Sequence, residues 1–430
     1  MAPVKCGLLV TFAGATIACA STAPPSEPSP PVEIPAPDST ALEPSAPDTL
    51  IPTLDTAIAA IPPVEEPVEG LVADSAPADP PPVPLDVRVC AGGDVLLGNN
   101  LDSAWAIRAS QRLGWRVSPT PDPEGLLDTL RPLVADADVI LLNIEGAIGE
   151  GPASSKCGQF ARNCYAFRQP TNAAAALARL GDSAVVVGNV ANNHAMDAGQ
   201  LGFDATLRNL GLAGVHTTGS DTLGTVAVTP RGDTVVVLGF STAQAGPDPR
   251  NLAAVRRHVT RAASVHPRVA VTMHMGAEGT AAQRTPNESE RYLGEDRGNS
   301  VAFARSAVDA GAAVVFGHGP HVMRAAEWYR GALILYSLGN LLTYGPFSLV
   351  EPLNRGGIAC VSLDATGAIT RAVFRSTRQD PPGMLRWDPT GRAAWLVDSL
   401  SQLDFPATAA RLAGEAVIFV PALERDSTRR

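Results

Sequence analysis

From residue 87 onward, short apolar runs end one after another in a polar or glycine-rich turn. Leu85–Cys90 leads into Gly92-Gly93-Asp94, and Val139–Leu142 leads into Asn143-Ile144-Glu145-Gly146. Ala184–Val187 runs into the most polar of these stretches, Gly188–Gly199, which holds Asn192, Asn193, His194 and Asp197. Arg268–Met273 precedes His274-Met275-Gly276-Ala277-Glu278, and Ala312–Phe316 precedes Gly317-His318-Gly319-Pro320-His321. Ala332–Tyr336 then precedes Ser337-Leu338-Gly339-Asn340. Such runs predict buried strands, and the Ala and Leu spacing of Thr171–Leu180 and Ser300–Ala310 predicts helices between them. Strand, polar turn and helix in repetition predict an α/β fold with its site at the carboxyl edge of the sheet.

Beyond Gly356 the pattern changes. Ile358–Leu363 and Ala368–Phe374, joined by Asp364–Gly367, predict an antiparallel hairpin. Pro381-Pro382 breaks the chain, and weak helical patterns follow around Ala393–Leu403 and Ala407–Ala413.

Composition divides the 430 residues further. Residues 20–86 hold 18 of the 38 prolines and 12 acidic residues, with no Lys or Arg. So little apolar surface does not offset the entropy of ordering, and the segment reads as an extended spacer. Of the net charge of −10, the spacer carries −12 and Lys5 +1, which leaves residues 87–430 at +1. That balance excludes the basic footprint of a nucleic-acid binder. Ahead of the spacer, Lys5 and the apolar run Gly7–Ala18 suit a secretory signal and are too short for a membrane span. Thr16-Ile17-Ala18-Cys19 resembles a bacterial lipoprotein cleavage box with Cys19 as the lipidated residue; plain secretion is the alternative. The expected division is a signal peptide at 1–19, a linker at 20–86, a catalytic-type domain at 87–377 and an extension at 378–430. The expected location is outside the cytoplasmic membrane, attached by lipid. In that compartment Cys157 and Cys164, in a loop-like stretch, are candidates for a disulfide, while Cys90 and Cys360 in apolar runs read as small buried thiols.

The predicted strand ends offer Asp94, Glu145, Asn193, His274, His318 and His321. Carboxylate and amide oxygens with several imidazoles suit one or two divalent cations, Mn, Fe or Zn. Two such ions clamp the oxygens of a phosphoryl or acyl centre. His194 follows Asn193 and is placed to face a substrate as a proton donor, and Asp197 either orients that imidazole or caps a turn. Asn192 competes with Asn193 for the ligand role, the other being a supporting or substrate-side amide.

Taken together, GGDVLLG (Gly92–Gly98), LLNIEG (Leu141–Gly146), NVANNHAMDAG (Asn189–Gly199), HMGAE (His274–Glu278), GHGPHV (Gly317–Val322) and YSLGN (Tyr336–Asn340) resemble the CapA family of poly-gamma-glutamate capsule biosynthesis proteins. The family is similar to calcineurin-like metallophosphoesterases. The resemblance implies a four-layer αββα sandwich with a dinuclear metal site. It carries the ligand roles to Asp94, Glu145, Asn193, His274, His318 and His321, and the proton-donor role to His194. Phe167-Arg168-Gln169-Pro170 looks like the family's F-R-x-P segment, which makes Arg168 a candidate for an anionic substrate and sets Glu278 beside it as a pocket residue. Departures are Leu96, where the wider group has a histidine, Met275 in place of tryptophan and Gly279 in place of an aromatic residue. The implied function is an exported protein of capsule or surface-polymer production with a metal-dependent hydrolase site. Its implied partners are an anionic polymer or a phosphate-type substrate, membrane components of a capsule synthase, and the membrane itself. A general extracytoplasmic phosphoesterase and a non-catalytic polymer-binding assembly factor are the alternatives.

Overall fold

Alternation along the strand Val87–Leu96 sets the architecture. Val87, Val89 and Ala91 enter one buried cluster and Cys90 another, as the period-2 geometry of a strand requires, and a register shift beyond Ala91 turns Val95 to the side of Cys90. The strand lies in a computed structural model that describes residues 86–98, 103–152, 165–243, 246–345, 347–414 and 417–421. The expected signal, Cys19, the spacer through residue 85, and the Cys157/Cys164 pairing lie outside the described residues.

Two sheets carry the fold. The first runs in the order Ala410–Ala413, Ile418–Pro421, Ile369–Asp380, Arg355–Leu363, Val87–Leu96, Val139–Ile144, Val185–Asn189, His216–Thr218. The last four of these strands are mutually parallel, and Asn340–Thr343 pairs parallel with the end of Val87–Leu96. The second runs Ala326–Tyr329, Ala332–Leu335, Val314–His318, Val269–His274, Thr234–Ser241, Thr225–Val228, with its central strands parallel. One buried cluster combines Val89, Leu141 and Val187 of the first sheet with Val237, Phe316 and Leu335 of the second. Each of the other two combines a single sheet with helices. Leu142 and Val186 pack with Leu177 and Leu210 of the helices Asn172–Ala178 and Gly199–Ala213. Val271 and Val315 pack with Val259 and Phe303 of the helices Leu252–Ala263 and Ser300–Asp309. Both of the latter helices start on an asparagine cap: Asn251 accepts from the Ala254 amide and Asn299 from the Ala302 amide. Among the described residues no helix is long and apolar enough to cross a membrane.

The hairpin expected after Gly356 is the antiparallel pair Arg355–Leu363 and Ile369–Asp380. The expected boundary at 377/378 falls inside its second strand. Met384–Trp387 and Ile418–Pro421 add to the same sheet, and all described residues fall within one unit, Asp79–Arg430. The helix Arg392–Asp404 forms as the pattern around Ala393–Leu403 predicts. The pattern around Ala407–Ala413 does not give a helix: Pro406 blocks continuation, and Ala410–Ala413 takes its backbone partners from Ile418–Pro421 as a strand.

A second correction concerns Cys90 and Cys360, which are not separate thiols. They face each other across adjacent antiparallel strands, with Cα atoms 4.0 Å apart, and form a disulfide. Their separation of 270 residues hides from the linear pattern what sheet register brings together.

Candidate metal centre

Sheet register builds the site in two rows. Asp94, Asn143 and Asn189 stand side by side on three neighbouring parallel strands of the first sheet. His274 and His318 stand side by side at the ends of two strands of the second. The chain returning from the second sheet crosses beside Asp94, whose amide donates to the Gly339 carbonyl at 3.0 Å. Gly93 permits that crossing, because a Cβ there would lie 2.0 Å from the Gly339 oxygen. The glycines of the first and last motifs are thus two halves of one backbone contact.

The rows meet through Asn143. Its Oδ1 accepts from Asn189 Nδ2 at 2.9 Å and Asn192 Nδ2 at 3.4 Å, which turns Nδ2 toward Asp94 Oδ1 at 2.8 Å and His274 Nδ1 at 3.3 Å. Asp94 Oδ2 is 2.8 Å from His321 Nδ1, and its Oδ1 is 3.5 Å from His318 Nδ1. Glu145 Oε1 is the second hub, with His321 Nε2 at 3.6 Å, His274 Nε2 at 3.9 Å and His194 Nε2 at 4.0 Å. His321 has φ of +59°, a conformation costly for a side chain with a Cβ, and its ring is held between the two carboxylates.

Whether this set fits a cation can be judged from its unused atoms. Glu145 Oε1, His274 Nε2 and His318 Nε2 are buried without a hydrogen-bond partner among the described residues. Buried polar atoms left in that state are costly. Three of them, gathered with Asp94 and His321, are what a divalent cation satisfies, and the donor set of carboxylate and imidazole suits one. Ligand atoms of Asp94, Glu145 and His321 lie within 4.8 Å of one another. Burial pushes Glu145 well above the usual carboxylate range, an effect His321 partly opposes. Burial likewise holds His274 well below the ordinary imidazole value, against the pull of Asp94. For Asp94 burial acts upward, but hydrogen bonds with His318 and His321 outweigh it and hold the carboxyl below its usual range.

His194 is fixed beside this centre. Its Nδ1 lies 2.6 Å from Asp197 Oδ2, which leaves Nε2 facing Glu145. Asp197 Oδ2 also accepts from the Phe167 amide at 2.8 Å, and the Phe167 ring lies 4.0 Å from the His194 ring. Asn192 accepts from the His194 amide and donates to the Ile144 carbonyl, so it braces the turn. Asn193 Nδ2 lies 3.4 Å from Glu278 Oε1. Arg168 donates to the Gly151 carbonyl at 2.7 Å, on the short strand Arg168–Gln169.

Three residues of the network escape the sequence reading: Asn143, Asn189 and Arg297. The first two are polar residues closing apolar runs, a signal present in the pattern. Arg297 lies far from any motif; it pairs with Glu278 and is buried.

A family profile described as "Bacterial capsule synthesis protein PGA_cap" matches residues 88–344. The "PGA biosynthesis protein CapA" of Bacillus subtilis (strain 168) is 32% identical over 182 residues, 38% of this chain and 44% of that protein. A "Probable polyglutamine synthesis accessory protein" of Mycobacterium tuberculosis is 28% identical over 292 residues, 60% of this chain and 74% of its own. Less than half of the Bacillus relative is therefore spanned. Among solved structures, a 5′-nucleotidase precursor from Thermus thermophilus is similar over 75% of this chain and 59% of its own, at 13% identity and a TM-score of 0.37. Since the matched span contains every residue of the site just described, motif and profile agree: the chain belongs to the bacterial capsule synthesis PGA_cap family, the CapA-type proteins.

Proposed function

We propose that this protein is an exported, lipid-attached accessory factor in the production of poly-gamma-glutamate or a related anionic surface polymer, and that its site hydrolyses or transfers a phosphate-type or gamma-glutamyl bond. The observation that carries the reading is the convergence of Glu145 Oε1, His274 Nε2 and His318 Nε2, buried and unpartnered, beside Asp94 and His321. Asp94, Glu145, Asn193, His274, His318 and His321 would hold one or two divalent cations there. Such ions supply Lewis-acid polarisation of a phosphoryl or acyl oxygen. His194, its Nδ1 held by Asp197, would deliver the proton that a leaving group needs. The cysteine pair Cys90–Cys360 suits an oxidising compartment and so supports export; Cys19→Ala is expected to move the protein from the membrane fraction to the soluble one.

The test is metal analysis of the purified full-length protein together with turnover of bis(p-nitrophenyl) phosphate and of poly-gamma-glutamate. Cleavage that His194→Ala abolishes while the cation stays bound supports a hydrolase. A bound cation with no cleavage of either compound points to polymer binding instead, and a protein that binds no divalent cation overturns the reading.

A further inference from the structure

A two-stranded hairpin, Glu290–Tyr292 with Glu295–Gly298, packs on the loop that follows His274. Arg324, fully buried, fixes it: the guanidinium donates to both carboxylate oxygens of Glu290, at 2.7 and 2.8 Å, and to the Ala282 carbonyl at 2.7 Å. Glu290 Oε1 in turn accepts from the Ala277 amide, and the Gly276 amide donates to the Arg297 carbonyl at 2.9 Å. The backbone leading to Glu278 is therefore tied down, and its carboxylate is presented from a rigid support.

That carboxylate is used asymmetrically. Oε1 takes the Arg297 guanidinium and lies near Asn193, whereas Oε2 lies 3.7 Å from His321 Nε2. The same His321 nitrogen is 3.6 Å from Glu145 Oε1. Two donors bound to one ion at about 2.0–2.2 Å are separated by no more than about 4.4 Å, so both pairs fit around a shared cation. Leu96, two residues after Asp94, is buried and brings no donor atom.

We propose that Glu278 is a cation ligand, completing with Glu145, His321 and Asp94 an oxygen-rich position that takes a hard divalent ion of the Mn2+ class. The inference rests on the reading of this site as a cation centre. Three carboxylates and one imidazole favour Mn2+ or Mg2+ over Zn2+, whereas the His274 and His318 side is richer in nitrogen. Arg297 occupies the other oxygen of Glu278 and offsets part of the negative charge gathered there.

Mn2+ titration of the chelator-stripped full-length protein tests this by calorimetry, without reference to turnover. Glu278→Gln is expected to bind Mn2+ about tenfold more weakly or worse. The double variant E278Q/R297M leaves no unpaired buried charge, so it serves where the single change impairs folding, and it is expected to remain as weak as E278Q. Native-like affinity in E278Q, or its recovery in the double variant, overturns the proposal while the cation centre stands. A native protein that binds neither Mn2+ nor Zn2+ overturns the cation centre itself and this ligand with it.

Discussion

His321 Nδ1 stands 2.8 Å from Asp94 Oδ2, although 227 residues separate them and they extend from different sheets. The contact closes the site across the junction of the two sheets. Burial disfavours the charged imidazole, but Glu145, Asp94 and Glu278 outweigh it and raise His321 to about 10, with Asp94 held below the usual carboxylate range. A left-handed residue with a Cβ costs about 1–2 kcal/mol, and this pairing offsets that cost.

Asp94→Asn removes the charged partner of His321. It is expected to lower the stability of the chelator-treated protein by about 1.5–3 kcal/mol in urea unfolding. Cation content by mass spectrometry should fall in the same variant, and full retention would detach Asp94 from the centre.

Asp197→Asn leaves His194 in place but takes away the carboxylate that accepts from its Nδ1. If His194 delivers a proton, phosphodiester turnover should drop by about 10²- to 10⁴-fold with cation content unchanged. Equal turnover in the variant would reduce the pair to a structural contact.

The Cys90–Cys360 bond closes a loop of most of the folded chain. Cys90→Ala with Cys360→Ala is expected to cost about 2–4 kcal/mol, read from denaturant midpoints. Thiol titration of the native chain in denaturant should find these two cysteines unreactive until a reductant is added.

Tyr336 is buried and donates to Glu327 Oε2 at 2.7 Å. Burial, reinforced by Glu327, holds its hydroxyl well above the ordinary value of 10.0. A raised folded value means that its contribution is complete below the unfolded value and is lost as pH climbs beyond it. Melting temperature should therefore fall steeply above about pH 10, where the unfolded phenol ionises, and Tyr336→Phe should flatten that limb. An unchanged alkaline limb in the variant would assign it to other groups.

Much of the α/β plan is legible in the linear pattern because strand burial is a local, period-2 property. The runs ending at Asp94, Glu145, His274 and His318 read as strands since both faces of each are covered, leaving apolar residues in series. The helix Ser300–Asp309 is legible through its apolar spacing. Ala407–Ala413 misleads for the opposite reason: alanines favour a helix in isolation, and only pairing with Ile418–Pro421 makes that segment a strand.

The site divides along the same line. Asp94, Glu145, His194, His274, His318 and His321 follow apolar runs as polar residues, so their nomination as a candidate strand-end cluster needs only the sequence. Register decided which of them touch, setting Asn143 between Asp94 and Asn189 and Cys90 against Cys360. Packing of the Glu290–Gly298 hairpin decided that Arg297 meets Glu278. Periodicity records which face of an element is buried, whereas the partner a side chain finds depends on distances between segments far apart in the chain, and those exist only once the two sheets have closed on each other.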